Sequence, residues 1–303
     1  MNLRGIFPPI ATPFDDDEID LDAMRANVTK WMKTGLAGVL VLGSNGEAPM
    51  IDADESFRVA SAAREAVPPG KTLIVGAGEE STRSTIRAVR RAAEAGADVV
   101  LVRTPCYYKS QMTTDLFVRH FMAVADASPV PVLPYNVPGF TGVNMAAEAV
   151  AKLALHPNIP GVKDSSANLT QIADLVSTTP PDFCVLVGSA PTLYPSLCLG
   201  AAGGIVGAAC VIPDLMVRLY ELSVAGRHAE ALDLQRAIAP IAKSVTTTYG
   251  AAGLKAAMEM AGYAGGVPRR PLAPPTPAMI ETIRGQLAAL GAIPPAAGRD
   301  ALS

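Results

Sequence analysis

Lys163 is the residue of this chain best placed for covalent chemistry. It closes the short apolar run of IPGVKDSS at 159–166 as a lone cation. An amine at the C-terminal end of a buried strand either finds a carboxylate or sits desolvated with a depressed pKa. In the first case Lys163 pairs with Asp164 or turns to solvent and is structural. The second is the state from which an amine attacks a ketone to form a Schiff base. Tyr135, at the end of PVLPY, could move protons as a general acid–base. The turn GSNGE at 43–47 offers backbone N–H groups, the side chains of Ser44 and Asn45, and two glycines, Gly43 and Gly46, that admit a carboxylate close to the backbone. Together these parts suit a 2-oxo acid. Lys163 attacks the C2 carbonyl, and the protonated imine accepts electrons so that a carbanion at C3 becomes an enamine. Each part also has a structural reading: Tyr135 as a lining residue, GSNGE as a loop, Tyr107 and Tyr108 as packing.

These residues must be held by elements, and the apolar pattern supplies them. Short β-rich runs at 5–11, 38–42, 72–76, 98–102, 131–135, 159–163, 183–187 and 204–207 alternate with helical stretches at 21–34, 53–66, 82–95, 114–127, 145–155, 169–178, 192–199 and 214–225. Eight β-then-α units, repeating every 25–30 residues or so, predict a parallel sheet with crossover helices, and their number and total length suit a closed (β/α)8 TIM barrel. A doubly wound open sheet is the alternative. It would want a glycine-rich phosphate turn after the first strand, where this chain has ATPFDDDE. The expected organisation is a barrel over 1–225, a C-terminal helical extension over 226–292 broken by a loop at 265–277, and a disordered tail over 293–303. In a TIM barrel the active site lies at the C-terminal strand ends. Those ends carry Thr12, the GSNGE turn, TPCYY at 104–108, Tyr135-Asn136, Lys163-Asp164-Ser165 and Gly188-Ser189, whereas the opposite ends carry no such cluster.

Composition narrows the field. Half of the 303 residues are hydrophobic and 5% aromatic, enough for a large core. A net charge of −3 argues against nucleic acid and anionic membrane partners. The four cysteines form no C-x-x-C pair, which fits buried thiols in a reducing compartment. No leader or membrane-spanning run is read, so a cytoplasmic protein is expected. His120, His156 and His228 lack ligand spacing, and no metal site is expected. The acidic run at 15–18 reads as a solvated turn. Arg269 and Arg270 read as cover for the C-terminal helices.

The motifs GIFPPIATPF, GSNGE, TPCYY, YNVP and GVKDSS, in this order and spacing, resemble those of the dihydrodipicolinate synthase and N-acetylneuraminate lyase family of pyruvate-dependent class I aldolases. The resemblance spans nearly the whole chain and implies a TIM barrel with a C-terminal helical extension. It implies Lys163 as the Schiff-base lysine, Tyr135 as the proton shuttle, and Ser44, Asn45 and the Gly46 backbone as the holders of the pyruvyl carboxylate. It implies that Tyr107 reaches across a dimer interface to complete a relay with Ser44 and Tyr135, and that Ser165, Gly188 and Ile205 line the pocket. The family is usually a homotetramer, a dimer of tight dimers. Its chemistry takes a small-molecule 2-oxo acid and an aldehyde and needs no cofactor, because the lysine imine is the electron sink. Two features depart from the synthase pattern. Ser44-Asn45 stands where synthases commonly carry two threonines, and Phe140 where they carry an arginine that binds the second substrate's carboxylate. The combination is more similar to the 4-hydroxy-2-oxoglutarate aldolases, which release pyruvate and glyoxylate. The synthase reaction, a sugar-acid aldolase or dehydratase, and a non-catalytic ligand-binding barrel are the alternatives.

Overall fold

The computed structural model describes residues 3–294. Eight parallel strands, β1 (Gly5–Phe7), β2 (Gly38–Val41), β3 (Thr72–Gly76), β4 (Val99–Arg103), β5 (Val132–Asn136), β6 (Gly161–Asp164), β7 (Cys184–Val187) and β8 (Gly203–Ile205), pair in the order β1-β8-β7-β6-β5-β4-β3-β2. The ring closes between β1 and β2. Ala37 N–H donates to Ile6 O, Leu40 N–H to Pro8 O and Ile10 N–H to Leu40 O, at 2.9–3.0 Å. A closed ring leaves no strand edge unpaired. The structure is therefore a TIM barrel, and the open doubly wound sheet is excluded.

Helices α1 (Leu21–Trp31), α2 (Ala53–Ala66), α3 (Thr82–Glu94), α4 (Thr114–Ala127), α5 (Ala147–Leu153), α6 (Leu169–Thr178), α7 (Leu193–Cys198) and α8 (Pro213–Val224) follow the strands in turn. Their starts are encoded locally. Asp52 accepts from the Asp54 and Glu55 N–H groups while Glu55 reaches back to Asp52 N–H, a capping box that opens α2. Asp20, Ser81, Thr113 and Asn168 cap α1, α3, α4 and α6 through their side chains.

The strands are buried on both faces, and alternate residues serve two cores. Phe7, Leu40, Ile74, Leu101, Leu133 and Leu186 fill the barrel. Val39, Val75, Val100, Val132 and Val185 pack outward against the helices. Three further helices, α9 (His228–Lys243), α10 (Gly250–Met260) and α11 (Pro277–Ala289), make the C-terminal extension, with a π-helical turn (Ser244–Thr248) between α9 and α10.

Some elements differ from the sequence pattern. The first run forms a strand only to Phe7, because prolines 8 and 9 remove ladder donors. The acidic run at 15–18 is an exposed turn, as expected, but it closes a small hairpin that the pattern did not show, Phe14–Asp15 with Glu18–Ile19, in which Asp16 and Asp17 take positive φ of 44° and 71°. Two-residue strands are too short to show a period, and aspartate tolerates the left-handed conformation. A helical turn (Pro138–Thr141) that the pattern did not show precedes α5. The expectation of buried thiols holds for Cys184 and Cys210, whereas Cys106 is half-buried and Cys198 exposed. Of the expected tail, residues 295–303 lie outside the described residues, and Ile293 packs into the core.

Candidate active site

The strand register brings the candidate side chains together. Tyr135 on β5 is the register partner of Arg103 on β4 and of Lys163 on β6. Register partners point to the same face, so all three side chains share one level inside the C-terminal end of the barrel. Lys163 Nζ lies 4.1 Å from the centroid of the Tyr135 ring. The residue is 3% exposed, and among the described residues it makes no ion pair. Burial pushes its ammonium below the ordinary lysine value, with Tyr135 and Cys210 pulling the other way. Asp164 faces the opposite side of the strand. Its carboxylate accepts from Asn136 Nδ2, Gln171 Nε2 and Ser166 N–H at 2.7–2.9 Å. The structural pairing of Lys163 with Asp164 is thus absent, because consecutive strand residues point to opposite faces.

Tyr135 OH and Ser44 Oγ are 3.4 Å apart. This ties the GSNGE turn to the lysine across the mouth of the barrel. The turn is held tightly: Gly46 O accepts from Thr12 Oγ1 at 2.8 Å. A Cβ on Gly207 would lie 2.8 Å from Asn45 Nδ2 and equally close to Thr246 of the π-helical turn, so the Asn45 amide packs over bare backbone. Ser165 and Gly188 meet in the same way. A Cβ on Gly188 would sit 1.7 Å from Ser165 Oγ, so only glycine leaves room for that hydroxyl. Ile205 packs with Tyr135 in the barrel core. Ser44, Tyr135, Gly78 and Arg103 also border a cleft of about 290 Å³ whose lining does not include Lys163.

Two expected residues stand apart from this group within one chain. Tyr107 is 78% exposed, stacked edge-to-face on Tyr108 with ring centroids 5.1 Å apart. Phe140, on the turn after β5, is 73% exposed. The loop carrying Tyr107 is nevertheless fixed. Glu80 accepts from the Cys106 and Tyr107 N–H groups at 2.9 Å each and from Arg103 at 2.6 Å. Partial burial raises its pKa, but these donors outweigh it and hold the carboxyl at about 2.

The sequence reading missed the support behind the GSNGE turn. Glu47 Oε1 pairs with Lys255 Nζ of α10 at 2.7 Å, with both side chains buried. Glu47 Oε2 accepts from Arg269 N–H at 2.8 Å. The expectation that Arg269 covers the C-terminal helices is corrected: its guanidinium donates to Glu55 at 2.7 and 2.8 Å, to Asp17 at 3.1 Å and to Met50 O at 2.8 Å, joining the extension to the barrel. Lys255, the one cation in the apolar stretch GLKAAMEM, was the available signal. No cluster of three or more His, Cys, Asp or Glu residues able to hold a metal exists among the described residues. No helix among them is long and apolar enough to cross a membrane.

A buried amine without a carboxylate, a phenol beside it and a glycine-rich turn linked to that phenol form a set suited to imine chemistry on a 2-oxo acid. Residues 2–290 match the model of the dihydrodipicolinate synthetase family. The chain belongs to that family. A fungal protein of Emericella nidulans described as "Probable 4-hydroxy-2-oxoglutarate aldolase, mitochondrial" is 38% identical over 278 residues, 90% of each chain. A 4-hydroxy-tetrahydrodipicolinate synthase of Methanoculleus marisnigri is 35% identical over 273 residues, 89% of this chain and 93% of that one. The crystal structure of the Thermotoga maritima dihydrodipicolinate synthase superposes with a TM-score of 0.92 at 31% identity, covering 96% of this chain and 99% of that one. As a member of the dihydrodipicolinate synthetase family, the protein is an enzyme of the pyruvate-dependent aldolase and lyase class.

Proposed function

We propose that the protein is a Schiff-base aldolase that cleaves 4-hydroxy-2-oxoglutarate to pyruvate and glyoxylate. The reading rests first on Lys163, a buried amine with a lowered pKa and no carboxylate partner, beside Tyr135. Its neutral amine adds to the C2 carbonyl, and water leaves as the iminium forms. A base takes the C4 hydroxyl proton, the C3–C4 bond breaks, and its electron pair moves into the iminium to give an enamine while glyoxylate departs. Protonation at C3 and hydrolysis release pyruvate and return the amine. Tyr135 is assigned as the proton carrier. Ser44, Asn45 and the Gly46 backbone hold the C1 carboxylate, and Ser165, Gly188 and Ile205 shape the pocket. The imine itself is the electron sink, so the mechanism calls for no added cofactor. Tyr107, exposed in the single chain, enters the neighbouring subunit's site in a dimer of tight dimers and completes the proton path from Tyr135 through Ser44.

The substrate assignment rests on the likeness of SNGE, TPCYY and KDS to the 4-hydroxy-2-oxoglutarate aldolases and, against the synthase reaction, on Phe140. An apolar ring stands where family synthases place an arginine, so aspartate semialdehyde loses that charge-assisted partner, while the C5 carboxylate of 4-hydroxy-2-oxoglutarate is met by other groups. The similarity to the Emericella protein supports the same choice. The second reading is condensation of pyruvate with aspartate semialdehyde, which the synthase relatives favour.

Two measurements test the proposal. Borohydride added with pyruvate is expected to fix a covalent adduct on Lys163, found by peptide mass spectrometry; modification elsewhere, or none, overturns the Schiff-base assignment. kcat/KM for 4-hydroxy-2-oxoglutarate cleavage is expected to exceed that for condensation with aspartate semialdehyde on one preparation. Equal or better condensation reverts the substrate to that of the synthases.

A further inference from the structure

We infer that the buried Glu47–Lys255 pair is a positioning device, through which the C-terminal helices fix the carboxylate-binding turn and so set the affinity for the 2-oxo acid. The inference rests on the reading of Ser44 and Asn45 given above. Glu47 is the last residue of the GSNGE turn and holds a left-handed backbone, φ 58°, that a residue with a Cβ adopts only when its surroundings impose it. Its side chain supplies that constraint. One carboxylate oxygen meets Lys255 Nζ at 2.7 Å and the other accepts the Arg269 N–H at 2.8 Å. The lysine has further contacts: it donates to Val267 O at 2.8 Å and lies 4.4 Å from the Phe14 ring centroid. From α10 it therefore fixes both the turn and the segment that carries Arg269.

Stability alone does not explain such a pair. Removing two charges from water costs several kcal/mol per ion, and apolar replacements of buried pairs are often neutral or stabilising. What the pair adds is direction. The turn has its own hydrogen bonds, Gly46 and Ala48 N–H to Gly43 O, and is held from outside by the Thr12–Gly46 hydrogen bond, the Ser44–Tyr135 contact and the packing of Asn45 over Gly207; the Glu47 pair is its link to the C-terminal helices. Ser44 sits three residues before Glu47, and the N–H of Glu47 donates to Ser44 O at 3.2 Å, so a shift of Glu47 moves the Ser44 backbone directly. Neither Glu47 nor Lys255 belongs to the reacting group of Lys163 and Tyr135, and both act through the turn.

The test compares the full chain with Glu47→Gln/Lys255→Met and, separately, Glu47→Asp. The double variant removes both charges at similar shape and avoids the uncompensated buried charge that either single change would leave. Glu47→Asp keeps the charge and shortens the tether by one methylene. The readouts are thermal stability, the pyruvate concentration giving half-maximal borohydride-trapped adduct, and kcat. The expected result is a melting temperature near that of the wild type, a half-saturating pyruvate concentration raised about 10-fold in the double variant and about 3-fold in Glu47→Asp, and a smaller proportional fall in kcat at saturation, since Ser44 also lies on the proton path. If the double variant does not fold, Glu47→Asp decides. Unchanged half-saturation in whichever folded variant is measured, or a loss confined to kcat, overturns the inference. Absence of adduct in the wild type instead removes the Schiff-base reading on which it rests, so the two failures are told apart.

Discussion

Tyr135 and Lys163 are register partners on adjacent strands, and this places the lysine amine 4.1 Å from the centre of the phenol ring. The relationship is a property of the sheet rather than of flexible side chains. Both residues are fixed by ladder hydrogen bonds and buried at the same level of the barrel. The amine thus meets an aromatic ring where its own neighbour Asp164 is held on the other face of β6 by Asn136 and Gln171.

A pH dependence follows from the buried amine. Burial lowers the Lys163 pKa below its unfolded value of 10.5. The neutral form, the nucleophile of the proposed mechanism, therefore grows as pH rises and saturates below that value. The rate of adduct trapping at subsaturating pyruvate is expected to climb with pH and level off below 10.5. A climb continuing through that value would show an ordinary, solvated lysine. Between the lowered pKa and 10.5 the unfolded chain binds more protons, so folding stability gains from this residue as pH rises through that window. Lys163→Met is expected to flatten that gain in urea unfolding curves.

Tyr107 and Glu80 are expected to behave as a pair. Tyr107→Phe should lower kcat by about 100-fold or more, as loss of a general acid–base group does, without changing the oligomer seen by analytical ultracentrifugation. Glu80→Gln keeps the size of the side chain but weakens the hold on the Cys106 and Tyr107 N–H groups. It should lower kcat by about 3- to 10-fold in the wild type and have little effect in the Tyr107→Phe background. Wild-type turnover in Tyr107→Phe would leave Tyr107 as packing.

Phe140 offers a gain-of-function test. It is exposed, so Phe140→Arg should fold normally. A restored charge-assisted contact is worth a few kcal/mol at best, and about 1.4 kcal/mol is tenfold in kcat/KM. Condensation of pyruvate with aspartate semialdehyde is expected to rise by about tenfold or more, while pyruvate trapping on Lys163 stays unchanged. No gain would mean that another cation already serves the distal carboxylate.

His120 predicts an acid sensitivity outside the site. Burial holds it at about 4, against the pull of Glu80, and its Nδ1 lies 2.9 Å from Thr82 Oγ1. The unfolded value is 6.5, so the unfolded chain takes up this proton first as pH falls. The stabilisation tied to neutral His120 is complete above 6.5 and is lost as pH falls towards 4, by up to about 3 kcal/mol. His120→Gln should show a flatter fall in unfolding free energy between pH 7 and pH 4.5. A slope equal to the wild type's would mean that other groups control acid stability.

The barrel and the placing of most of the candidate set were legible in the sequence, for a local reason. Doubly buried parallel strands read as short apolar runs, their period counts the β/α units, and the ends of those runs expose Lys163, Tyr135 and the GSNGE turn. The choice between a lysine paired with Asp164 and a free one was not local. It depended on which face of β6 each residue occupies and on Asn136 and Gln171 arriving from other elements. The Glu47–Lys255 pair joins residues more than two hundred positions apart, as does the reach of Arg269 to Asp17, Met50 and Glu55. No periodicity records such contacts, because they form only when the C-terminal helices fold back on the barrel. Sequence alone thus determined which chemical groups are present and on which rim of the barrel they stand. Tertiary structure decided which of them meet, since a partner for a buried charge is chosen by packing geometry and not by distance along the chain.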